Sequence, residues 1–220
     1  TRAVNRSLYN NGMRTISAEK KMYNIAKRAA SELVNPEYKH HGASANFAAV
    51  NASSYYLLNG IAEGDGSSNR DGRQIKLTSI AIRGMFKLGS NVTVPKVMRV
   101  SLVRCNFSTG GTFSPDDPFA GTLGGSDTAI FEFNDTDENR NYTVLWNEFI
   151  DLGDGGVHGD FKRFEFYKQY KDGWHIQYNN GSATEISISH GALFLVFSTN
   201  HSGAGAPDAS FQSRIRYLDN

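Results

Sequence analysis

The chain has 220 residues, of which 39% are hydrophobic and 12% aromatic, so it can bury a substantial core and is not disordered overall. Its formal net charge is +1, and its single cysteine, Cys105, excludes both an intramolecular disulfide framework and a zinc site built from cysteines. No stretch approaches the ~20 apolar residues that span a bilayer, and the N-terminus lacks the apolar core of a signal peptide, so we expect no membrane insertion.

The net charge is unevenly divided along the chain. Residues 1–39 carry eight Lys and Arg against three acids, a net of +5, whereas residues 40–220 carry 15 basic and 19 acidic residues, a net of −4. A basic leader on a mildly acidic body indicates a polyanionic partner for the leader.

Residues 17–34 form the one segment with a convincing helical pattern, with Ser17 as N-cap and Asn35-Pro36 as the stop. Two interpretations stand: a surface helix with a solvated charged face, or a helix that docks by its apolar stripe and offers its basic face to phosphates. Residues 40–54 are rich in Ala, Ser and Asn without a clear period, and we predict a linker there. The apolar stripe of the helix consists of Met22, Ile25, Ala26, Ala29 and Leu33.

From about residue 55 the pattern changes to strands separated by Gly, Asn and Asp turns, which is typical of an all-β sandwich or barrel. A phase change near Thr78-Ser79 predicts a bulge, and Asp172-Gly173 predicts a hairpin. Eight strands with long, unevenly spaced insertions favour an eight-stranded jelly-roll sandwich over a meander. The predicted strands lie at 74–88, 96–106, 142–152, 161–170, 174–178, a continuously apolar 192–198, and 211–218, with a weaker candidate at 129–133.

The chain lacks the residue patterns of enzymes. His40 and His41 are adjacent and the other four histidines are isolated, so no pair has the strand spacing used by metal-binding cupin jelly rolls. Cys105 lies within a predicted strand, which favours a buried, inert thiol over a nucleophile, and no Gly-x-Ser-x-Gly elbow is present. We therefore expect that the protein is not an enzyme.

Four blocks between about residues 57 and 220 resemble small jelly-roll capsid proteins, namely the coats of satellite necrosis viruses and of circovirus-like, Rep-encoding single-stranded DNA viruses. The first block resembles the first strand of these coats. It runs from Leu58-Asn59-Gly60-Ile61 through Gly64-Asp65 and Arg70-Asp71-Gly72 to Ile82-Arg83-Gly84. The later blocks are Arg140-Asn141-Tyr142-Thr143-Val144-Leu145-Trp146, Trp174-His175-Ile176-Gln177-Tyr178-Asn179 and Ser213-Arg214-Ile215-Arg216-Tyr217-Leu218-Asp219.

The resemblance implies a viral coat protein, located in the virion, that self-assembles from 60 copies into a small T=1 icosahedral shell. It divides the chain into a basic N-terminal arm with helix and linker at 1–54 and a jelly-roll shell domain at 55–220. The arm would face inward and bind the genome, and such arms are denser in arginine than residues 1–39, so we expect a further basic segment before Thr1. Phosphate contacts do not distinguish sugars, so single-stranded DNA and RNA both stay open as the genome.

Two sets of site residues follow. The satellite coats bind calcium between subunits, and the matching positions here are Asp71, where those coats have a serine, Gln74 and Asp219. For nucleic acid, sequence-independent neutralisation of phosphates points to basic residues of the arm and of the polar faces of the first and last long strands, which are neighbours in a jelly roll. These are Arg2, Arg6, Arg14, Lys20, Lys21, Lys27 and Arg28 in the arm, and Arg83, Lys87, Arg214 and Arg216 in the strands.

Other interpretations of the same sequence stay open. Arg83, Lys87, Arg214 and Arg216 could equally be solvent-exposed or paired with acids on neighbouring strands. A trimeric jelly-roll ligand or lectin-like binding protein is the alternative function, and it would call for a secretion signal or membrane anchor.

Overall fold

The computed structural model describes the chain at residues 20, 22, 23, 37–50, 53–88, 96–107, 112–115, 118–119, 141–153, 160–200 and 206–219. Of the helix predicted at 17–34, only Lys20, Met22 and Tyr23 are described, and all three side chains are exposed. The rest of that helix and the weaker strand candidate at 129–133 lie outside the described residues. No helix among the described residues is long and apolar enough to cross a membrane.

The described elements from Glu37 onward are nine strands and one short 3-10 helix, Glu185–Ser187. The chain divides into two compact units, Thr1–Glu37 and Tyr38–Asn220, and the second unit holds the sandwich. The strands are β1 (Glu37–Phe47), β2 (Ser53–Leu57), β3 (Gln74–Leu88), β4 (Lys96–Cys105), β5 (Tyr142–Gly153), β6 (Asp160–Tyr178), β7 (Ile188–His190), β8 (Ala192–Thr199) and β9 (Asp208–Asp219).

The strands form two antiparallel sheets whose pairing is that of a jelly roll. Sheet A has the order β1-β9-β3-β6-β7 and sheet B the order β2-β8-β4-β5. Apart from the three-residue β7, the pairs are nested: β4 lies beside β5, β3 beside β6, β2 beside β8, and β1 beside β9. A long hairpin rolled over itself produces this nesting, which is the defining connectivity of the double-sheet jelly roll. The predicted all-β jelly-roll sandwich is confirmed, but the predicted number of eight strands is wrong, because the described part of the chain has nine.

The linker predicted over 40–54 is wrong, because most of β1 and the start of β2 lie within it. β1 is an edge strand of sheet A, and its burial alternates only between exposed and half-buried over most of its length. Because an edge strand of this kind needs no apolar face, the residues around Gly42 and Ser44 are small or polar on both faces. The alternation of apolar and polar residues that identifies a strand in a sequence is therefore missing. As a consequence, the strand expected to be the first of the fold, β3, is the third.

The hairpin predicted at Asp172-Gly173 is also wrong. β6 is continuous, and both of its halves run antiparallel to β3, with Leu77 opposite Trp174 and Ser79 opposite Gln169. Residues 170–173 form an enlarged bulge across from the predicted bulge of β3, which the register shift between Leu77 and Ser79 confirms. Gly173 has φ 63°, and a Cβ there would lie 2.7 Å from Lys76 carbons, so the Asp-Gly pair supplies a left-handed residue to a bulge rather than to a turn.

Aromatic side chains fill the space between the sheets. Phe197 of β8 lies 5.7 Å from Phe86, and 5.9 Å from both Phe164 and Phe211, measured between ring centroids. Such pairs contribute about 0.5–1.5 kcal/mol each beyond the area that they bury. Gly84 makes room for this cluster, because a Cβ at that position would collide with the ring of Phe164.

The outer face of sheet B is covered. All eight residues of β8 are buried, as the continuously apolar sequence predicts. Phe113 stacks on Phe194 of β8 at 4.0 Å, and Phe119 lies 3.7 Å from the Arg99 guanidinium of β4. The segment after β4 therefore shields sheet B, whereas the central strands of sheet A carry exposed side chains on their outer face.

The connection from β2 to β3 is held by the buried side chain of Arg70. Its Nε donates to the carbonyl oxygen of Ile61 at 3.0 Å, and its two terminal nitrogens donate to the carbonyl oxygens of Gly72 and Asn180. The guanidinium also lies 4.0 Å over the ring of Tyr178, at the end of β6. Arg70 thus fixes the residues before β3, including Asp71, against sheet A.

Candidate nucleic-acid interface

The register of sheet A brings the outward-facing side chains of β9, β3 and β6 into cross-strand rows. One row consists of Arg214, Ala81 and Tyr167. The row on one side of it contains Arg216 and Ser79, and the row on the other side contains Arg83 flanked by Gln212 and Glu165. The rows follow from the alternation of side chains along each strand, since the apolar partners Ile80, Ile82 and Ile215 point to the core.

The outer face formed by β3, β6 and β9, termed here the basic face, is positively charged on an acidic body. It carries six basic and two acidic side chains, a net of +4, while residues 40–220 as a whole are net −4. Everything else in residues 40–220 therefore sums to −8. The basic members are Lys76, Arg83, Lys87, Arg163, Arg214 and Arg216, and the acidic members are Glu165 and Asp208.

Only some of these charges are neutralised within the protein. Arg83 Nε lies 2.8 Å from Glu165 Oε1, but the two side chains are 78% and 60% exposed, so the pair contributes at most about 1 kcal/mol. Among the residues that the structure describes, Arg163, Arg214 and Arg216 have no ion-pair partner. Their guanidinium groups are available to an external anion.

A shallow groove runs along the basic face. Ser79 and Ala81 of the central strand form its floor because their side chains are short. The groove has a volume of about 450 Å³ and continues into a second depression of about 510 Å³ beside Gly84. Its walls are formed by Arg83, Tyr167, Gln212, Arg214 and Arg216. A groove with a small-residue floor and guanidinium walls suits an extended anionic chain.

The four strand residues predicted for nucleic acid, Arg83, Lys87, Arg214 and Arg216, all lie on this one face. Their binding role stays a prediction. Arg83 is paired with Glu165, as in the alternative of pairing with acids on a neighbouring strand, and Lys87 lies opposite Asp208 in the register.

In the arm, Lys20 is exposed. The other predicted arm residues lie outside the described part of the chain; they are Arg2, Arg6, Arg14, Lys21, Lys27 and Arg28.

Sequence reasoning missed two residues of the basic face, Arg163 and Tyr167. The signal that could have found them is the alternation along β6. Phe164 is buried and Phe166 is half-buried, so the odd-numbered residues of this stretch point outward. Arg163 and Tyr167 then join Arg83 and Arg214 through the observed register.

The residues predicted for calcium are only partly brought together. Asp71 and Asp219 are neighbours that share one cation: Lys39 Nζ is 2.7 Å from Asp71 Oδ1 and 3.1 Å from Asp219 Oδ2. Gln74 is turned to a different partner: its Nε2 lies 2.8 Å from the ring Nδ1 of His175. Within the described ranges, no group of three or more His, Cys, Asp or Glu side chains could hold a metal ion. The cation between the two carboxylates is an ammonium, and calcium binding here stays a prediction.

No protein-family model and no curated protein matches the chain. Among solved structures, it is similar to a chain of Desmodium yellow mottle tymovirus, with 11% identity and a TM-score of 0.38 over 84% of this chain and 88% of that chain. Dimeric latent PorU from Porphyromonas gingivalis has 9% identity and a TM-score of 0.37, over 83% of this chain and 13% of that chain.

A chain of the empty head of turnip yellow mosaic virus has 10% identity and a TM-score of 0.35, over 84% of this chain and 82% of that chain. Similarity at these identities concerns the fold alone. The assignment as a jelly roll rests on the nested pairing of the strands.

Proposed function

We propose that the protein is a viral coat protein that assembles into a closed T=1 icosahedral shell and holds a single-stranded nucleic-acid genome against the basic face. The basic residues predicted for the arm would bind the same genome; they are Arg2, Arg6, Arg14, Lys20, Lys21, Lys27 and Arg28. This function is structural, and it requires no catalytic group.

The observation that supports the proposal most is the segregation of charge. A face of net +4 on a body that is otherwise net −8 creates a local positive field, which attracts a polyanion despite the near-neutral total. The basic face is also open, whereas the opposite sheet is covered by Phe113 and Phe119. A subunit with one phosphate-binding face and one shielded face suits a wall that separates a genome from solvent.

Binding of this kind is independent of sequence and sensitive to salt. Each phosphate that a guanidinium neutralises releases counterions, so the logarithm of the affinity falls with the logarithm of the salt concentration by about 0.7 per contact on a single strand. Replacing Arg214 and Arg216 with alanine should therefore reduce the slope by about 1.4.

Assembly is tested on the purified full-length protein by size-exclusion chromatography and negative-stain imaging over a range of salt concentrations. The proposal predicts closed particles of uniform size whose absorbance ratio at 260 and 280 nm indicates nucleic acid. Digestion of opened particles with DNase or RNase then identifies the genome. Monomers or trimers under all conditions would contradict the proposal, and trimers would favour a trimeric binding protein.

The contribution of the basic face is tested with a matched pair of double variants. Arg214→Ala with Arg216→Ala removes two charges from the basic face. Lys162→Ala with Lys168→Ala removes two exposed charges from β6 at even-numbered positions, which alternate with the residues of the basic face. We expect the first variant to package less nucleic acid and the second to package as much as the wild type. A reduction of the same size in both variants would show that only total charge matters.

The arm is tested by deletion of residues 1–34. We expect the β domain to fold normally, because every described strand begins at or after Glu37, and the co-purified nucleic acid to decrease. An unchanged 260/280 ratio would contradict a role of the arm.

A further inference from the structure

Tyr167 is an aromatic side chain that the fold does not use. It is 62% exposed, in the middle of the longest strand of sheet A. It makes no hydrogen bond and no ring contact with any residue that the structure describes. By contrast, the other aromatics of the same strand are buried or half-buried, apart from Phe161 near its start, which is 58% exposed. An exposed ring with no internal partner, on a face rich in arginine, is explained most simply by an external partner.

The neighbours of Tyr167 leave a slot beside its ring. Across the central strand, Tyr167 and Arg214 flank Ala81, whose methyl group is the only side-chain atom between them in that row. Neighbouring strands lie about 4.8 Å apart, so the two flanking backbones are about 10 Å apart. Side chains stand roughly perpendicular to a sheet, so a flat ring can enter the slot between the phenol and the guanidinium.

The arginines around this slot are spaced along the strands. Arg214 and Arg216 are two residues apart on β9, a rise of about 7 Å, and Arg83 lies one row to the other side. This spacing is of the same order as the distance between successive phosphates of an extended single strand. The groove therefore offers cations at intervals along its length and one aromatic surface between them.

We propose that Tyr167 stacks on an unpaired base, with the neighbouring phosphates held by Arg83, Arg214 and Arg216, so that the basic face selects single-stranded over duplex nucleic acid. The inference rests on the proposed function and specifies the substrate class of the same face. Bases of a duplex are already stacked on one another and do not present a free face to a protein surface, whereas every unpaired base does. Selection for a single strand then needs no reading of sequence.

Binding assays on dissociated, nucleic-acid-free subunits of the full-length protein test this with three labelled probes: an oligothymidine, an abasic oligonucleotide of the same length, and a duplex. All three carry phosphates, but only the first carries free bases. Fluorescence anisotropy should show that the oligothymidine binds about tenfold more tightly than the abasic probe, the size expected for one stacked base. Tyr167→Ala should abolish this preference, weaken oligothymidine binding about tenfold, and leave both the abasic affinity and the salt slope unchanged.

Two further variants separate stacking from charge. Tyr167→Phe keeps the ring and should bind as the wild type does. Arg216→Ala, one row away from the slot, should weaken the oligothymidine and the abasic probe to the same extent, because it removes a phosphate contact.

Several results would overturn the inference. One is an oligothymidine affinity that Tyr167→Ala does not change, and another is a wild-type protein that binds the abasic probe or the duplex as tightly as the oligothymidine. A Tyr167→Ala protein that binds all probes normally but no longer assembles would assign Tyr167 to a contact between subunits instead. In each of these cases the salt-dependent binding of phosphates would survive, whereas a wild-type protein that binds none of the probes would refute the proposed function itself.

Discussion

Lys39 is a cation of β1 that contacts both the end of β9 and the connection before β3, and replacing it with methionine removes these contacts. Lys39 lies in β1 and is 4% exposed, Asp219 ends β9, and Asp71 precedes β3. The Asp219 side chain is 1% exposed, and its Oδ1 has no hydrogen-bond partner, so the charge of this carboxylate depends on Lys39. Loss of one partner from a buried ion pair typically costs about 3–5 kcal/mol.

The structure places the expected loss at the lower end of that range. Asp219 Oδ2 still accepts a hydrogen bond from the backbone N–H of Asp71 at 2.6 Å, which partly stabilises the remaining charge. The Asp71 side chain is 49% exposed, so water replaces the ammonium there at little cost. We therefore expect Lys39→Met to lower the free energy of unfolding by about 3 kcal/mol.

The loss should not depend on pH near neutrality. Burial by itself would lower the pKa of Lys39, but the hydrogen bonds to Asp71 and Asp219 outweigh it and raise the pKa above the ordinary 10.5. A raised lysine pKa stabilises the fold fully below the unfolded value, and this contribution is lost only as the pH rises through the folded value. The deficit of the variant should thus be the same at pH 7 and pH 9.

Urea denaturation of the dissociated protein, followed by tryptophan fluorescence, measures the effect. Lys171→Met is the control, because Lys171 is exposed and should change stability by less than about 0.5 kcal/mol. Combining Lys39→Met with Asp219→Asn should recover most of the loss, since an amide needs no cation. A loss below about 1 kcal/mol, or a double variant no more stable than Lys39→Met alone, would refute this reasoning.

Three further predictions concern the core, the β2–β3 connection and the basic face. Gly84→Ala should lower the free energy of unfolding, measured by urea denaturation, by about 1–3 kcal/mol, because the new Cβ meets the Phe164 ring and lies 2.5 Å from a backbone carbonyl oxygen. The double variant with Phe164→Leu should lose less stability than the sum of the two single variants. Arg70→Lys should cost about 3 kcal/mol, since an ammonium on a flexible stem cannot satisfy three separated carbonyl oxygens, and a near-neutral melt would contradict the pinning role. Glu165→Gln should leave stability within about 0.5 kcal/mol and raise oligonucleotide affinity about threefold by releasing Arg83, whereas weaker binding would show that the ion pair positions Arg83.

The parts of the fold that the sequence predicts well are those with a strong local pattern. β8 is continuously apolar and is buried on both faces, and β9 alternates buried Ile215 and Tyr217 with exposed Arg214 and Arg216. The bulge of β3 follows from a change of phase within one strand. In each case the environment of a residue depends on neighbours two positions away, which the sequence displays directly.

The features that the sequence does not predict depend on distant parts of the chain. β1 has no hydrophobic alternation because it is an edge strand. Asp172-Gly173 has the composition of a hairpin turn, but pairing of both halves of β6 with β3 makes it a bulge. Asp71 and Asp219 are 148 residues apart, and nothing near either of them indicates that Lys39 is their partner.

The candidate interface contains residues of both kinds, some placed by a local pattern and one placed by distant parts of the chain. The placement of Arg83 beside Arg214 and Arg216 follows from the adjacency of two long strands in a jelly roll, together with the alternation along each strand. The addition of Tyr167 depends on the register of β6 across the bulge, which no local pattern determines.

The proposed function requires that the basic face of sheet A is the side of the subunit that meets a packaged genome. Electron cryomicroscopy of particles formed by the full-length protein can show both the shell and the orientation of the subunit within it. We expect a closed shell with β3, β6 and β9 lining the interior and nucleic-acid density against Arg83, Arg214 and Arg216. A shell with this face turned to the exterior, or interior density that contacts other surfaces only, would contradict it.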